Sequence, residues 1–273
     1  MPLPGMTTTP ASSMSRMLRD AQWLNGWNHW MLRGAGASNL SVIDIRDATA
    51  YAKGHIGFAI NIPSDVFANA LAQPKTIAAS LPSVLGTAGV NGRDEIVITS
   101  EGGLNTASAL AMLALHAIGH EHVSVLTASH DDWQLAGYTL TKEPTTVGTP
   151  KSPRDFVVRP TTYTVAATAA TNGAVLISSD SVAGADMPRI YVHSGQSVGA
   201  KPTDGKSVHV PYAQLVDRNG KPKPAHEIWT ILDKAGVSRY AEVVTMADQL
   251  GEAAMNYAVL KLMGFANVKV RLP

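Results

Sequence analysis

Three features of the chain recur at an almost constant spacing, and this repeat limits the possible folds more than any other property. Ile96-Val-Ile-Thr99 is answered by Glu242-Val-Val-Thr245, which sets the two threonines 146 residues apart. The run Ala117-Ile-Gly119 through Val123-Ser-Val125 is answered by Leu262-Met-Gly264 through Val268-Lys-Val270, with the glycines 145 apart. Pro63 in Ile60-Asn-Ile-Pro63 is matched by Pro211 in Val208-His-Val-Pro211, 148 residues on. Self-similarity at one period means a duplicated unit. Within each unit, short β-branched runs alternate with longer apolar segments. That rhythm predicts a parallel sheet with helices on both faces.

Individual segments support the scheme. Ser41-Val-Ile-Asp-Ile-Arg46 and Glu95-Ile-Val-Ile-Thr99 read as buried strands, and Thr106 to Ile118, rich in Ala and Leu, as a helix packed against a sheet. Gly119 supplies a left-handed residue to end that helix. Ser129 begins a capped helix with acids in its first turn. The expected organisation is a mobile tail over 1–15 and a first domain over 16–145. A Pro- and Thr-rich linker over 146–160 and a second domain over 161–273 complete it.

These residues resemble the tandem-domain rhodaneses, or thiosulfate sulfurtransferases. Val42-Ile-Asp44-Ile-Arg46-Asp47 is similar to the family's DxR strand, and Tyr51-Ala-Lys-Gly54-His55-Ile56-Gly57-Phe58-Ala59-Ile60-Asn61-Ile62-Pro63 to its GHIPGAINIP signature. Gly57 and Phe58 stand where the family usually has Pro and Gly. Gly119-His120 through Leu126, then Trp133 and Gly137-Tyr138, extend the match, and the resemblance covers roughly residues 36–273. It implies an α/β fold of two rhodanese-like domains, each a small, mainly parallel sheet flanked by helices. It also implies a cysteine nucleophile in a tight loop of the second domain, where backbone N–H groups and a helix N-terminus would stabilise an anionic persulfide.

The chain contains no cysteine, which removes disulfides, thiolate metal sites and any protein persulfide. Ala247 occupies the nucleophile's place in the loop Ala247-Asp248-Gln249-Leu250-Gly251-Glu252. An alanine has no lone pair to attack sulfur. Asp248 and Glu252 add carboxylates at the start of the following helix, where a sulfur anion would need positive potential. Val175-Leu-Ile-Ser178-Ser179-Asp180 is expected to be the second DxR strand, with Ser for Asp and Asp for Arg. The resemblance thus implies a pseudo-sulfurtransferase, not an enzyme, with no catalytic residues and no cofactor.

Other candidates are weaker. Ser100, Gly102 and Gly103 form a glycine-rich loop in the first domain. It could cradle an anion or hold a serine nucleophile, but no positioned base accompanies it, and a turn with Asn105 or Thr106 capping the helix is the plainer expectation. His116, His120, His122 and His130 cluster in sequence, yet Gly119 breaks the i, i+4 face a metal would need, so no metal site is expected. Trp23, Trp27 and Trp30 share one face if Arg16 to Arg33 is helical, which offers either core packing or anchors for a partner. The net charge of +1 leaves no electrostatic footprint for nucleic acid. No segment reaches the roughly 18 apolar residues that span a bilayer. No apolar signal segment is evident at the start, so a soluble chain is expected, cytoplasmic before processed periplasmic. The expected function is that of a structural or protein-interaction component, in contact with a protein partner or a larger assembly. The alternative is a binder of thiosulfate or sulfite, with residual sulfurtransferase activity last.

Overall fold

The computed structural model describes residues 17–34, 38–152, 154–164, 175–178, 187–198 and 202–273. The segment 1–15, expected to be a tail, lies outside them.

The first domain opens with β1 (Leu18–Arg19), α1 (Ala21–Trp27), α2 (Trp30–Gly34) and β2 (Leu40–Asp44). α3 (Ala48–Lys53), β3 (Ala59–Asn61), α4 (Ser64–Leu71) and α5 (Ile77–Thr87) follow. β4 (Glu95–Thr99), α6 (Thr106–Ala117), β5 (Val123–Leu126) and α7 (His130–Leu135) complete it. The five strands lie in the order β1-β5-β4-β2-β3, and every pairing is parallel. Parallel strands carry helices on both faces and are buried on both, so β2 has no exposed residue.

A short parallel pair, β6 (Thr146–Val147) and β7 (Val157–Val158), lies in the stretch read as a linker. The second domain holds β8 (Leu176–Ile177), β9 (Arg189–His193), β10 (Lys206–His209), α8 (Ala225–Ala235), β11 (Glu242–Met246), α9 (Leu250–Leu262) and β12 (Val268–Arg271). Its sheet runs β8-β12-β11-β9-β10, all parallel. Element for element this is the order of the first sheet, so the sequence repeat is a fold repeat.

The domains meet along α6 and α9. A Cβ on Gly251 would come within 3.1 Å of Thr106 Cβ and 3.7 Å of Leu110 Cδ1, so the glycine permits the close approach of the two helices. One hydrophobic core runs through both sheets and both helices.

Two expectations need correction. Arg16 to Arg33 is not one helix. Leu18 and Arg19 pair with β5, Asp20 caps α1 by accepting from Trp23 N at 2.7 Å, and Asn28 ends it by donating from Nδ2 to Gly57 O at 2.7 Å. Nor is Val175 to Asp180 the second DxR strand. Leu176–Ile177 is the edge strand β8, the counterpart of β1, while Ser179 and Asp180 lie outside the described residues. The counterpart of β2 is β9. Among the described residues no helix is long and apolar enough to cross a membrane.

Candidate active site and its degenerate loop

Register fixes which residues correspond. Asp44 at the end of β2 lies opposite Thr99 of β4, and His193 at the end of β9 lies opposite Met246 of β11. His193-Ser194-Gly195 therefore stands where the first domain has Asp44-Ile45-Arg46, and Ala247 stands where it has Ser100. The triplet does not resemble a DxR pattern in sequence, because only one of its three side chains is ionisable. His193 follows Asp44 by 149 residues, one more than the longest of the three repeat spacings, so the repeat points to β9 but not to the residue.

In the first domain the pattern is complete. Arg46 Nη2 contacts Asp44 Oδ2 at 2.6 Å and donates to Gly54 O at 2.8 Å, and His130 Nε2 lies 3.4 Å from the same carboxylate oxygen. Burial alone would push the Asp44 carboxyl up, but the contacts from His130 and Arg46 outweigh it and hold it below the ordinary range. Ser100 is buried and bonded within its own loop. Its Oγ accepts from Asn105 Nδ2 at 3.0 Å and from Gly102 N at 3.4 Å, and it donates to Gly103 O at 3.4 Å. Asn105 is the N-cap of α6, in a reciprocal capping box with Ser108. Gly102 and Gly103 take φ of 147° and 55°, the region that favours glycine. The loop is a well-bonded helix entry.

In the second domain the same space is filled differently. Gly195 replaces the arginine, and the carboxylate of Glu252 points at the vacated position. Its Oε2 lies 2.7 Å from where a Cβ on Gly195 would be, with Ala247 Cβ 3.7 Å from that point. His209 Nε2 lies 2.9 Å from Gly195 O, and Ser197 Oγ donates to Asp248 Oδ2 at 3.3 Å. Gln249, the N-cap of α9, makes no side-chain capping bond. Leu250 and Gly251 begin the helix against α6. A methyl group and two carboxylates thus line a loop that would need a thiol and positive potential to carry sulfur.

The remaining candidates are dispersed. His116 Nδ1 lies 2.7 Å from the Tyr257 hydroxyl across the domain junction. His120 Nε2 donates to Asp94 O at 3.0 Å and Nδ1 takes the Tyr163 hydroxyl at 2.7 Å, while His130 serves Asp44. Among the described residues no three His, Asp or Glu side chains are grouped to hold a metal ion. Trp23 and Trp27 lie half-buried against a second core cluster around Leu24, Val42 and Trp133, with Arg19 stacked over Trp23 at 4.0 Å. Trp30 belongs to the next helix, under Arg154 at 5.0 Å. The three do not form one stripe. His55 is fully buried and stacks on Tyr51 with ring centres 3.6 Å apart, so the signature histidine holds the core together.

Two parallel-sheet domains of one strand order, with a cysteine-free loop after the central strand of the second, define a tandem rhodanese fold. Residues 28–136 match the family profile of the rhodanese-like domain, so the first domain is rhodanese-like, and the chain that carries it contains no cysteine. A candidate thiosulfate sulfurtransferase of Synechococcus elongatus is 23% identical over 267 residues, covering 88% of this chain and 78% of that protein. The 3-mercaptopyruvate sulfotransferase of Escherichia coli shares the fold at TM-score 0.60 and 19% identity, covering 94% of this chain and 97% of that one. The anaerobic ergothioneine biosynthesis enzyme of Chlorobium limicola, solved with trimethyl histidine, shares it at TM-score 0.68 and 16% identity, over 95% of this chain and 67% of that one.

Proposed function

We propose that this protein is a rhodanese-fold component without sulfur-transfer activity that acts by contacting a protein partner or taking a place in an assembly. The observation that carries the reading is the Glu252 carboxylate beside Gly195 and Ala247. Loss of the cysteine alone would leave an anion cradle free to bind thiosulfate or sulfite. A carboxylate already in that space repels such an anion, so the sulfur-anion alternative loses its site. The fold is kept while the chemistry is absent, which is the pattern of a scaffold put to another use.

The test has two arms. Thermal unfolding with millimolar thiosulfate, sulfite or sulfate at constant ionic strength is expected to give no specific rise for the wild type. Glu252→Gln should gain one if the cradle backbone survives. A ligand at 100 times its dissociation constant would add about 2.7 kcal/mol, so binding would be plain. In the second arm, the tagged chain isolated from its own cells should carry a stoichiometric protein companion, retained in Glu252→Gln. A thiosulfate-specific rise in the wild type, with no companion, would replace this reading by the anion binder.

A further inference from the structure

Away from both loops, a cavity of about 590 Å³ opens between the start of β2 and residues 150–152 and 155–161. Its volume falls in the range of small-molecule sites. Arg33, Ser38, Asn39 and Asp94 line it from the first domain, and Lys151 from the segment that follows β6.

Two buried polar atoms in this lining have no hydrogen-bond partner, Arg33 Nη2 and Ser38 Oγ. The guanidinium is held in place by its other contacts. Nε donates to Asn28 Oδ1 at 2.8 Å, and Cζ lies 4.8 Å over the Phe58 ring. Phe58 makes that contact with φ of 61°, a left-handed conformation that a bulky aromatic residue adopts at a cost. Burial lowers the Arg33 pKa to about 10, partly offset by the charge of Asp94, so the group is a cation at neutral pH. Asp94 accepts from Ser41 Oγ at 2.8 Å, and no ion pair joins it to Arg33 among the described residues. A half-buried cation with one buried, unpartnered nitrogen, a buried, unpartnered hydroxyl oxygen and a strained aromatic support all work against stability. Such costs persist where a ligand repays them.

We propose that this cavity binds a small monocarboxylate bearing a hydrogen-bond donor beside its carboxylate, a hydroxy acid or an amino acid. Arg33 Nη2 and Ser38 Oγ take the carboxylate. Asp94 accepts from the ligand's hydroxyl or ammonium group, and its negative charge disfavours dianions such as sulfate. The site is independent of the loop at Ala247.

Lactate and alanine, with sulfate as the dianion control, are titrated into the full chain at constant ionic strength, read by calorimetry and by the unfolding midpoint. Saturable binding of lactate or alanine, with sulfate at least about tenfold weaker, is expected, and which of the two binds tells hydroxy acid from amino acid. Ser38→Ala and Arg33→Met should each weaken binding by about tenfold or more. Unliganded Ser38→Ala should unfold no earlier than the wild type, because it removes an unpartnered buried hydroxyl, and it decides the matter if Arg33→Met fails to fold. No binding of either carboxylate, equal binding of sulfate, or wild-type affinity in Ser38→Ala would each overturn the proposal.

Discussion

Ala247 presents a single methyl group to a space into which the Glu252 carboxylate points from the first turn of α9. Restoring the thiol alone places a developing thiolate next to a like charge, which raises a thiol above its ordinary value of about 8.5. Ala247→Cys is therefore expected to fold and to show no sulfur transfer from thiosulfate to cyanide. The pH dependence of its alkylation by iodoacetamide should report a pKa above that of a free cysteine. Adding Glu252→Gln should bring that pKa down. Robust turnover in the single variant, or a thiol pKa well under 8, would mean that the loop still provides the positive potential a persulfide needs. The absence of cysteine and the position of Ala247 were legible in the sequence, since both are matters of identity and spacing. The role of Glu252 was legible only as charge near a helix start. Its approach to Gly195 depends on two loops from different strands, and no local pattern encodes it.

Among the elements, the turn at Gly220 packs against the glycine-rich loop of the first domain. It holds φ of 73°, and a Cβ there would come within 2.5 Å of Leu104 O in the glycine-rich loop of the first domain. Gly220→Ala combines a left-handed alanine with a clash against backbone, which cannot rotate away, and should cost about 2 kcal/mol. Urea unfolding would check this as a lower midpoint at unchanged slope. Gly137→Ala, also at positive φ but with nothing within 4 Å of its Cβ, should cost about 1 kcal/mol, the conformational part alone. Equal losses would remove the contact with Leu104 from the explanation. The strands β2, β4 and β5 and the helix α6 were readable from apolar runs and caps because burial on both faces writes a continuous signal. The strand β9 was not. Its Arg189-Ile-Tyr-Val-His193 run is bracketed by polar residues, and Arg189 is buried through an ion pair with Glu242 that only the neighbouring strand supplies. The tryptophan segment misled for a similar reason. Its helical spacing is real, but the helix stops at Asn28, whose side chain is held on Gly57 O, a contact distant in sequence.

At the scale of the whole molecule, the two domains are joined through one core, and a titratable group sits in the joint. His116 on α6 faces Tyr257 on α9. Burial first, then the charges of Lys261 and His120, lower the His116 pKa to about 3. In the unfolded chain the same imidazole titrates near 6.5. Between these values the unfolded chain binds a proton that the folded protein refuses, so stability is complete above about pH 6.5 and is lost as the pH falls toward 3. The slope approaches 1.4 kcal/mol per pH unit, and at pH 5 the loss from this residue is about 2 kcal/mol. His120, its pKa also lowered chiefly by burial, adds to the loss in the same direction. Urea unfolding at pH 7, 6 and 5 should show the wild type weakening on this schedule. His116→Gln should start lower at pH 7, having lost the bond to Tyr257, and should fall less steeply, keeping only the share that belongs to His120 and the rest of the chain. Because the histidine lies between domains that share a core, the loss should appear as one cooperative transition in both. Parallel curves for wild type and variant would show that acid weakens the protein elsewhere, and two separated transitions would show that the joint yields before either domain.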